Sequence, residues 1–162
     1  MKHELTGATK GLLDEYKKAI TELIVVIQSL DDNILSKVVD EKTSDPDCKS
    51  IQTVLSHVIN SGYGYTIYIE NSLGMNKIRP EKKLLNSVSE YSEHLILMYE
   101  YCENFFQLNS DITLEEHDNS KKIKVNWGQQ YDVEQLMEHA IVHILRHRRQ
   151  IENFTRILEC KS

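Results

Sequence analysis

Three of the seven histidines lie in one segment at four-residue steps: His139, His143 and His147. Residues four apart lie one above the other on a helix, so two imidazoles at this spacing can bind one metal ion. Successive helical residues are rotated by about 100°. On that basis His147 falls inside the apolar stripe of the segment, His143 at its edge and His139 on its polar flank. His143 and His147 are therefore predicted to face inward, with His139 outside them or at the surface.

An imidazole that faces inward needs a polar partner, because an unsatisfied buried polar group costs about 1–3 kcal/mol. A shared metal ion would satisfy both His143 and His147. Separate side-chain hydrogen bonds would also satisfy them, and the sequence leaves both explanations open.

A third ligand is available in an earlier helical segment, where His57 lies on the flank of the apolar stripe. Ser61, Gly64 and Tyr68 follow it along that flank, and the two small residues leave room for something that is not protein. Small residues also serve close helix packing, which is the alternative explanation. Three histidines from two helices would leave a fourth coordination position open for water or substrate, as in catalytic zinc sites.

Other metal motifs are excluded by residue type. The residues between His139 and His143 lack the glutamate of an H-E-x-x-H protease, and no Glu-x-x-His of a di-iron bundle occurs. The remaining histidines are predicted to be solvated: His3, His94 and His117.

Four long segments with helical periodicity must position these histidines. Their apolar stripes cover residues 13–30, 50–74, 87–105 and 132–158, with a capping box predicted at Ser87 and Glu90 and an N-cap at Asp132. Four helices of similar length predict an all-α four-helix bundle that forms a single domain over residues 1–162. The connections 31–49 and 74–86 are long enough for a crossover topology. A small β-hairpin is predicted between the third and fourth helices, from residues 112–116 and 121–125 around residues 118–120.

Composition indicates which kinds of partner the chain binds and in which compartment we expect it. The net charge is −6, and Arg146, Arg148 and Arg149 point in three directions around a helix, so we expect no binding to nucleic acid. The longest aliphatic run, residues 23–27, is too short to span a membrane, and no apolar signal core opens the chain. The three scattered cysteines are predicted to be reduced thiols in a cytoplasmic protein: Cys48, Cys102 and Cys160.

Two parts of the sequence resemble the DinB/YfiT-like family of metal-binding bundles. One is Leu55-Ser56-His57, and the other is similar to the family signature H-x-x-x-H-R-G-Q-I: His139-x-x-x-His143-x-x-x-His147-Arg148-x-Gln150-Ile151. The resemblance implies an up-down-down-up bundle and a divalent ion, typically zinc or nickel, held by His57, His143 and His147. Arg149 stands where the family usually has glycine.

The resemblance also implies candidate functions. Some relatives are transferases or isomerases that use low-molecular-weight thiols, and others are described as metal-dependent hydrolases. We therefore expect a metal-dependent enzyme that transfers a thiol to, or hydrolyses, a small electrophile. The alternative is a non-catalytic metal-binding or structural bundle, which a fourth protein ligand such as His139 would favour. Homodimers are frequent in the family, and Val25, Ile96 and Leu97 lie off the main apolar stripes.

Overall fold

The computed structural model describes residues 4–160, so His3 lies outside the described residues. Four helices account for most of this part of the chain: α1 (Gly7–Gln28), α2 (Ile51–Ser72), α3 (Val88–Leu108) and α4 (Val133–Cys160). The predicted all-α fold is confirmed. Three short 3-10 turns and one small two-stranded sheet lie in the connections.

Side-chain caps begin three of the helices. The Ser50 and Ser87 hydroxyls accept the backbone N–H groups of Thr53 and Glu90, at 3.1 and 3.2 Å. At the start of α4, Asp132 accepts the N–H of Gln135 at 2.8 Å. These caps satisfy N–H groups that have no partner within the helix. The capping box predicted at Ser87 and the N-cap predicted at Asp132 are both confirmed.

The helices form a ring in which α1 and α2 each pack against both α3 and α4. The Val88 N–H donates to the Asp32 carboxylate at 2.7 Å, so α3 begins where α1 ends. The Tyr91 hydroxyl donates to the Gln52 carbonyl at 3.0 Å, so α2 and α3 start together and run in parallel. The Asn126 N–H, just before α4, donates to the Tyr68 hydroxyl near the end of α2 at 3.1 Å. The order is therefore up-down-down-up, as predicted.

The periodic apolar residues form the core. Burial of one such side chain typically contributes about 1.5–3 kcal/mol, so the core holds the four helices at defined rotations. The largest fully buried aliphatic side chains come from all four helices: Leu23, Ile27, Leu55, Ile69, Leu95, Met98 and Leu136.

The connection between α2 and α3 runs back along the whole of α2. Three side chains of α2 hold the connection by hydrogen bonds. Asn71 accepts the Lys77 N–H, and Asn60 donates to the Pro80 carbonyl at 2.8 Å. Gln52 donates to the Leu85 carbonyl at 2.9 Å. These hydrogen bonds place residues 77–85 beside the last, middle and first turns of α2 in succession.

A small sheet lies between α3 and α4, as predicted, and its first strand falls within the predicted segment 121–125, but residues 112–116 form no strand. Its strands are β1 (Ile123–Lys124) and β2 (Gln130–Tyr131), paired antiparallel. The segment around Asp118 forms a 3-10 turn because its carboxylate accepts the Ser120 N–H at 2.9 Å. The chain reverses at Gly128, which has a φ of +87° and donates its N–H to the Val125 carbonyl at 3.1 Å. The hydrogen bond from the Ser120 N–H to Asp118 therefore outweighs the pairing of opposite charges that predicted a hairpin between residues 112–116 and 121–125.

The basic residues of α4 are dispersed, as predicted. Arg146 and Arg149 are exposed. Arg148 pairs with Glu22 of α1 and lies 3.8 Å from Glu152. Among residues 4–160, none of the helices combines the length and the apolar character that a membrane crossing requires.

The Tyr91 hydroxyl is expected to stabilise the α2–α3 connection. It lies 2.7 Å from Ser56 Oγ, accepts the Leu85 N–H at 3.0 Å and donates to Gln52. Replacing Tyr91 with Phe leaves these buried groups without a partner, so we expect the free energy of unfolding to fall by about 1–3 kcal/mol. Urea denaturation measures this loss.

Tyr63→Phe is the matched control, because the Tyr63 hydroxyl of α2 has no hydrogen-bond partner among residues 4–160. It should change the free energy of unfolding by less than about 0.5 kcal/mol. Equal stability of the two variants would contradict the assigned role of the Tyr91 hydroxyl.

Candidate metal site

The structure brings together the three histidines that the sequence analysis selected. His57 lies in the second turn of α2, and His143 and His147 lie in the middle of α4, where the two helices pack. The Nε2 atoms of His57 and His147 lie 3.0 and 3.2 Å from Nε2 of His143. Three nitrogens bound tetrahedrally to one zinc ion at 2.0–2.1 Å would be about 3.3 Å apart. The group could therefore hold a metal ion with little rearrangement.

In two of the imidazoles, hydrogen bonds fix the ring proton on Nδ1, the nitrogen that points away from His143. His57 Nδ1 lies 3.1 Å from the Asp47 carboxylate, and His147 Nδ1 lies 2.8 Å from the Gln150 side-chain oxygen. Both oxygens only accept hydrogen bonds, so each Nδ1 carries the hydrogen. In the neutral rings, both Nε2 atoms therefore direct lone pairs towards His143.

His143 cannot satisfy both neighbours. A neutral imidazole has one N–H, which from Nε2 can reach His57 or His147 but not both. His143 Nδ1 is itself buried without a hydrogen-bond partner in the described part of the chain. Neither tautomer of His143 therefore pairs every ring nitrogen, whereas a cation at the centre would bind all three Nε2 lone pairs. The donor set fits a metal ion better than a network of hydrogen bonds.

The two histidines of α4 are held in the neutral form that binds metals. Burial, together with the charges of the neighbouring histidines, lowers the pKa of His143 to about 2. Burial also lowers the pKa of His147. The lone pairs are consequently available at neutral pH without loss of a proton to solvent.

Asp47 orients His57 from a 3-10 turn (Pro46–Cys48) that packs against α2. Its other oxygen pairs with Lys82 of the α2–α3 connection. Although burial raises the pKa of Asp47, the hydrogen bonds from Lys82 and His57 outweigh this and lower it. A permanently ionised carboxylate behind a ligating imidazole fixes its tautomer and raises its basicity.

Sequence reasoning missed Asp47 and assigned no role to Gln150. Gln150 follows His147 by three residues on one helix, a spacing that brings side chains together and could have revealed it. Asp47 offers no such signal, because it lies in a loop whose path depends on tertiary packing.

A cavity of about 370 Å³ opens in front of the imidazoles. His57 and His143 form part of its wall, while His147 is buried behind them. Within residues 4–160, no further histidine, cysteine or carboxylate joins the group of three. A metal ion held there would keep an open coordination position on the cavity side.

His139 lies beside the group and not in it. Its ring stacks on Trp127 with centroids 5.5 Å apart, and its Nδ1 lies 3.3 Å from the Tyr131 hydroxyl. The ring centroid is 6.3 Å from that of His143. Burial lowers the pKa of His139, as does the nearby Arg146. This position outside the cluster is the one that the helical angles predicted.

The other predicted positions are also located. His117 is exposed, and His94 lies 2.9 Å from the Glu90 carbonyl one turn earlier, half-buried where full solvation was predicted. Arg149 is exposed and is not part of the cavity wall. The cysteines are all free thiols, as predicted.

A comparison of the chain with protein-family models and with curated proteins finds no match. The fold and the site therefore define the class of this protein by themselves: a four-helix bundle with a three-histidine group that could hold a metal ion. Membership of the DinB-like family stays a prediction from the motifs.

Single alanine variants test the ligand set. Replacing His57, His143 or His147 removes one of three ligands. Mutation of a residue that only supports a ligand typically lowers metal affinity by about 10–100-fold, so we expect a larger loss here. His139→Ala should retain most of the metal, and His94→Ala is the remote control. Elemental analysis and metal titration of the purified variants measure the loss. Loss of metal from the His139 variant, with retention in the other three, would contradict the assignment.

Proposed function

We propose that this chain is a metal-dependent enzyme of the DinB-like family, which transfers a thiol to, or hydrolyses, a small electrophilic substrate. One observation carries the proposal: three imidazoles converge beside a 370 Å³ cavity, with His57 and His143 in its wall and no fourth protein ligand among the described residues. Three protein ligands and one open position are typical of catalytic metal sites, whereas structural sites have four protein ligands.

Zinc or nickel is the ion that we propose for the site. Imidazole is a preferred ligand for both ions, and the resemblance of the histidine motif to the family points the same way. A divalent ion held there would lower the pKa of a bound thiol or water and thus supply a nucleophile near neutral pH.

The chain's own residues orient the ligands and limit the access of water. Asp47 and Gln150 hold the rings of His57 and His147 with Nε2 towards the cavity. Tyr65 and Trp127 pack edge to face, with centroids 6.2 Å apart, and form an aromatic wall on the cavity. An aromatic wall excludes water from one side of the reacting groups, which strengthens the electrostatic interactions within the cavity.

The alternative function is a metal-binding or purely structural dimeric bundle without turnover. A closed site would favour it, and no fourth histidine, cysteine or carboxylate among residues 4–160 closes this site. His139, the nearest candidate, is engaged with Trp127 and Tyr131. The cavity beside the imidazoles favours the enzyme.

A small-molecule thiol should stabilise the metal-loaded protein. Thiolate sulfur is a good ligand for zinc, and a ligand that binds only the folded state stabilises it. At about ten times the dissociation constant the gain is about 1.4 kcal/mol, which corresponds to a rise in Tm of about 3–6 °C for a chain of this size. Thermal denaturation with 2-mercaptoethanol measures the shift, which should increase with pH until hydroxide competes.

The His143→Ala protein is the control and should show no shift with the same thiol. If metal-loaded wild-type protein ignores every physiological thiol tested, the thiol-transfer half of the proposal fails and hydrolysis becomes the better account.

We propose that the protein is a homodimer. Three aliphatic side chains on α1 and α3 are exposed: Val25 by 62%, Ile96 by 47% and Leu97 by 43%. Single exposed apolar residues are normal in monomers, so the family resemblance also supports this proposal. Light scattering should give twice the mass of one chain. A mass of one chain across a wide concentration range would contradict it.

A further inference from the structure

Arg79 is a charged residue in the cavity wall to which neither the sequence analysis nor the proposed mechanism gives a role. It belongs to the connection that runs back along α2. Ile78, just before it, is 90% exposed, and Pro80 is also exposed, whereas Arg79 is half-buried. The connection thus directs the Arg79 side chain towards α2, while the Ile78 side chain is exposed to solvent.

The guanidinium rests against α2 in a place shaped for it. A Cβ atom on Gly64 would lie only 2.1 Å from Nη2 and 2.3 Å from Cζ of Arg79, so only glycine leaves room for the group. On its other side, Cζ lies 5.6 Å from the centre of the Tyr68 ring, within range of a cation–π interaction. The glycine leaves space for the guanidinium and the aromatic ring contacts it, and neither group neutralises its charge.

No carboxylate pairs with Arg79 in the part of the chain that the structure describes. Asp47 is the only acidic residue in the cavity wall, and it is already engaged by Lys82 and His57. The cavity therefore contains a fixed positive charge that has no internal partner, in a chain whose net charge is −6. A half-buried charge costs free energy unless it is paired, so its partner is expected to be a ligand.

We propose that the cavity binds a small substrate that carries an oxyanion, a carboxylate or a phosphate, and that Arg79 is the residue that binds this group. The inference rests on the proposed function, since the other end of the substrate would face the three imidazoles. A guanidinium presents a planar fork of N–H donors that matches carboxylate and phosphate oxygens. Arg79 thereby selects and positions the substrate while the histidines hold the ion.

Anion titrations of the metal-loaded protein test this role. Trp127 is the only tryptophan of the chain and lies in the cavity wall, so its fluorescence reports occupancy, with calorimetry as the second readout. Inorganic phosphate and acetate are the two probes, and the tighter one identifies the oxyanion class. We expect saturable binding that Arg79→Gln weakens by about tenfold or more, the usual effect of losing a charge-assisted pair.

Two further variants make the result specific. Gly64→Ala keeps the charge of Arg79 but displaces its guanidinium, so it should weaken anion binding to a similar extent. Lys77→Gln removes the same charge from an exposed position of the same connection, outside the cavity wall, and should bind like wild type. An anion that binds only to the ion would be insensitive to Arg79.

The outcomes separate this inference from the proposed function. If neither anion binds saturably, or if Arg79→Gln and Lys77→Gln bind alike, the role of Arg79 is overturned, even where 2-mercaptoethanol still stabilises the metal-loaded protein. If the thiol has no effect while anion binding depends on Arg79 and Gly64, the anion site stands and the thiol chemistry fails.

Discussion

Where α2 packs against α4, three imidazole Nε2 atoms face one another. This arrangement favours a positive charge between them. The hydrogens of His57 and His147 are committed to Asp47 and Gln150, so lone pairs meet at His143, whose single N–H cannot satisfy both. A cation between the nitrogens would bind all three lone pairs. Much of the surrounding structure serves this arrangement, including the 3-10 turn that carries Asp47 to the start of α2.

The site is asymmetric, because one side of the histidine group is buried and the other side faces a cavity. His147 is buried behind the group, where the helices pack, while the cavity lies on the side of His57 and His143. Burial keeps the imidazoles of His143 and His147 neutral, since desolvation disfavours their charged forms. The open side admits a small molecule. Arg79 places a guanidinium without a carboxylate partner among the described residues on that side, although the chain as a whole is acidic.

Features that depend on neighbours along the chain could be predicted from the sequence. The four helices, the caps at Ser87 and Asp132 and the inward rotation of His143 and His147 follow from 3.6-residue periodicity and from contacts within four residues. The hairpin was found only in part, because β1 lies within a predicted strand segment but its partner β2 could not be found in this way. Their register depends on the turn at Gly128, and the Asp118 side chain formed a competing local turn in the segment assigned to the loop.

The sequence alone determined that one helix presents two histidines to the core and that another carries a third on its flank. Only the tertiary structure decided that these imidazoles meet, because the relative rotation and height of α2 and α4 depend on the packing of the whole core. It also decided the places of Asp47 and Arg79, which lie in connections without periodicity. Their positions are set by hydrogen bonds and close contacts to α2, from Asp47 to His57 and from Arg79 to Gly64, which no local pattern encodes.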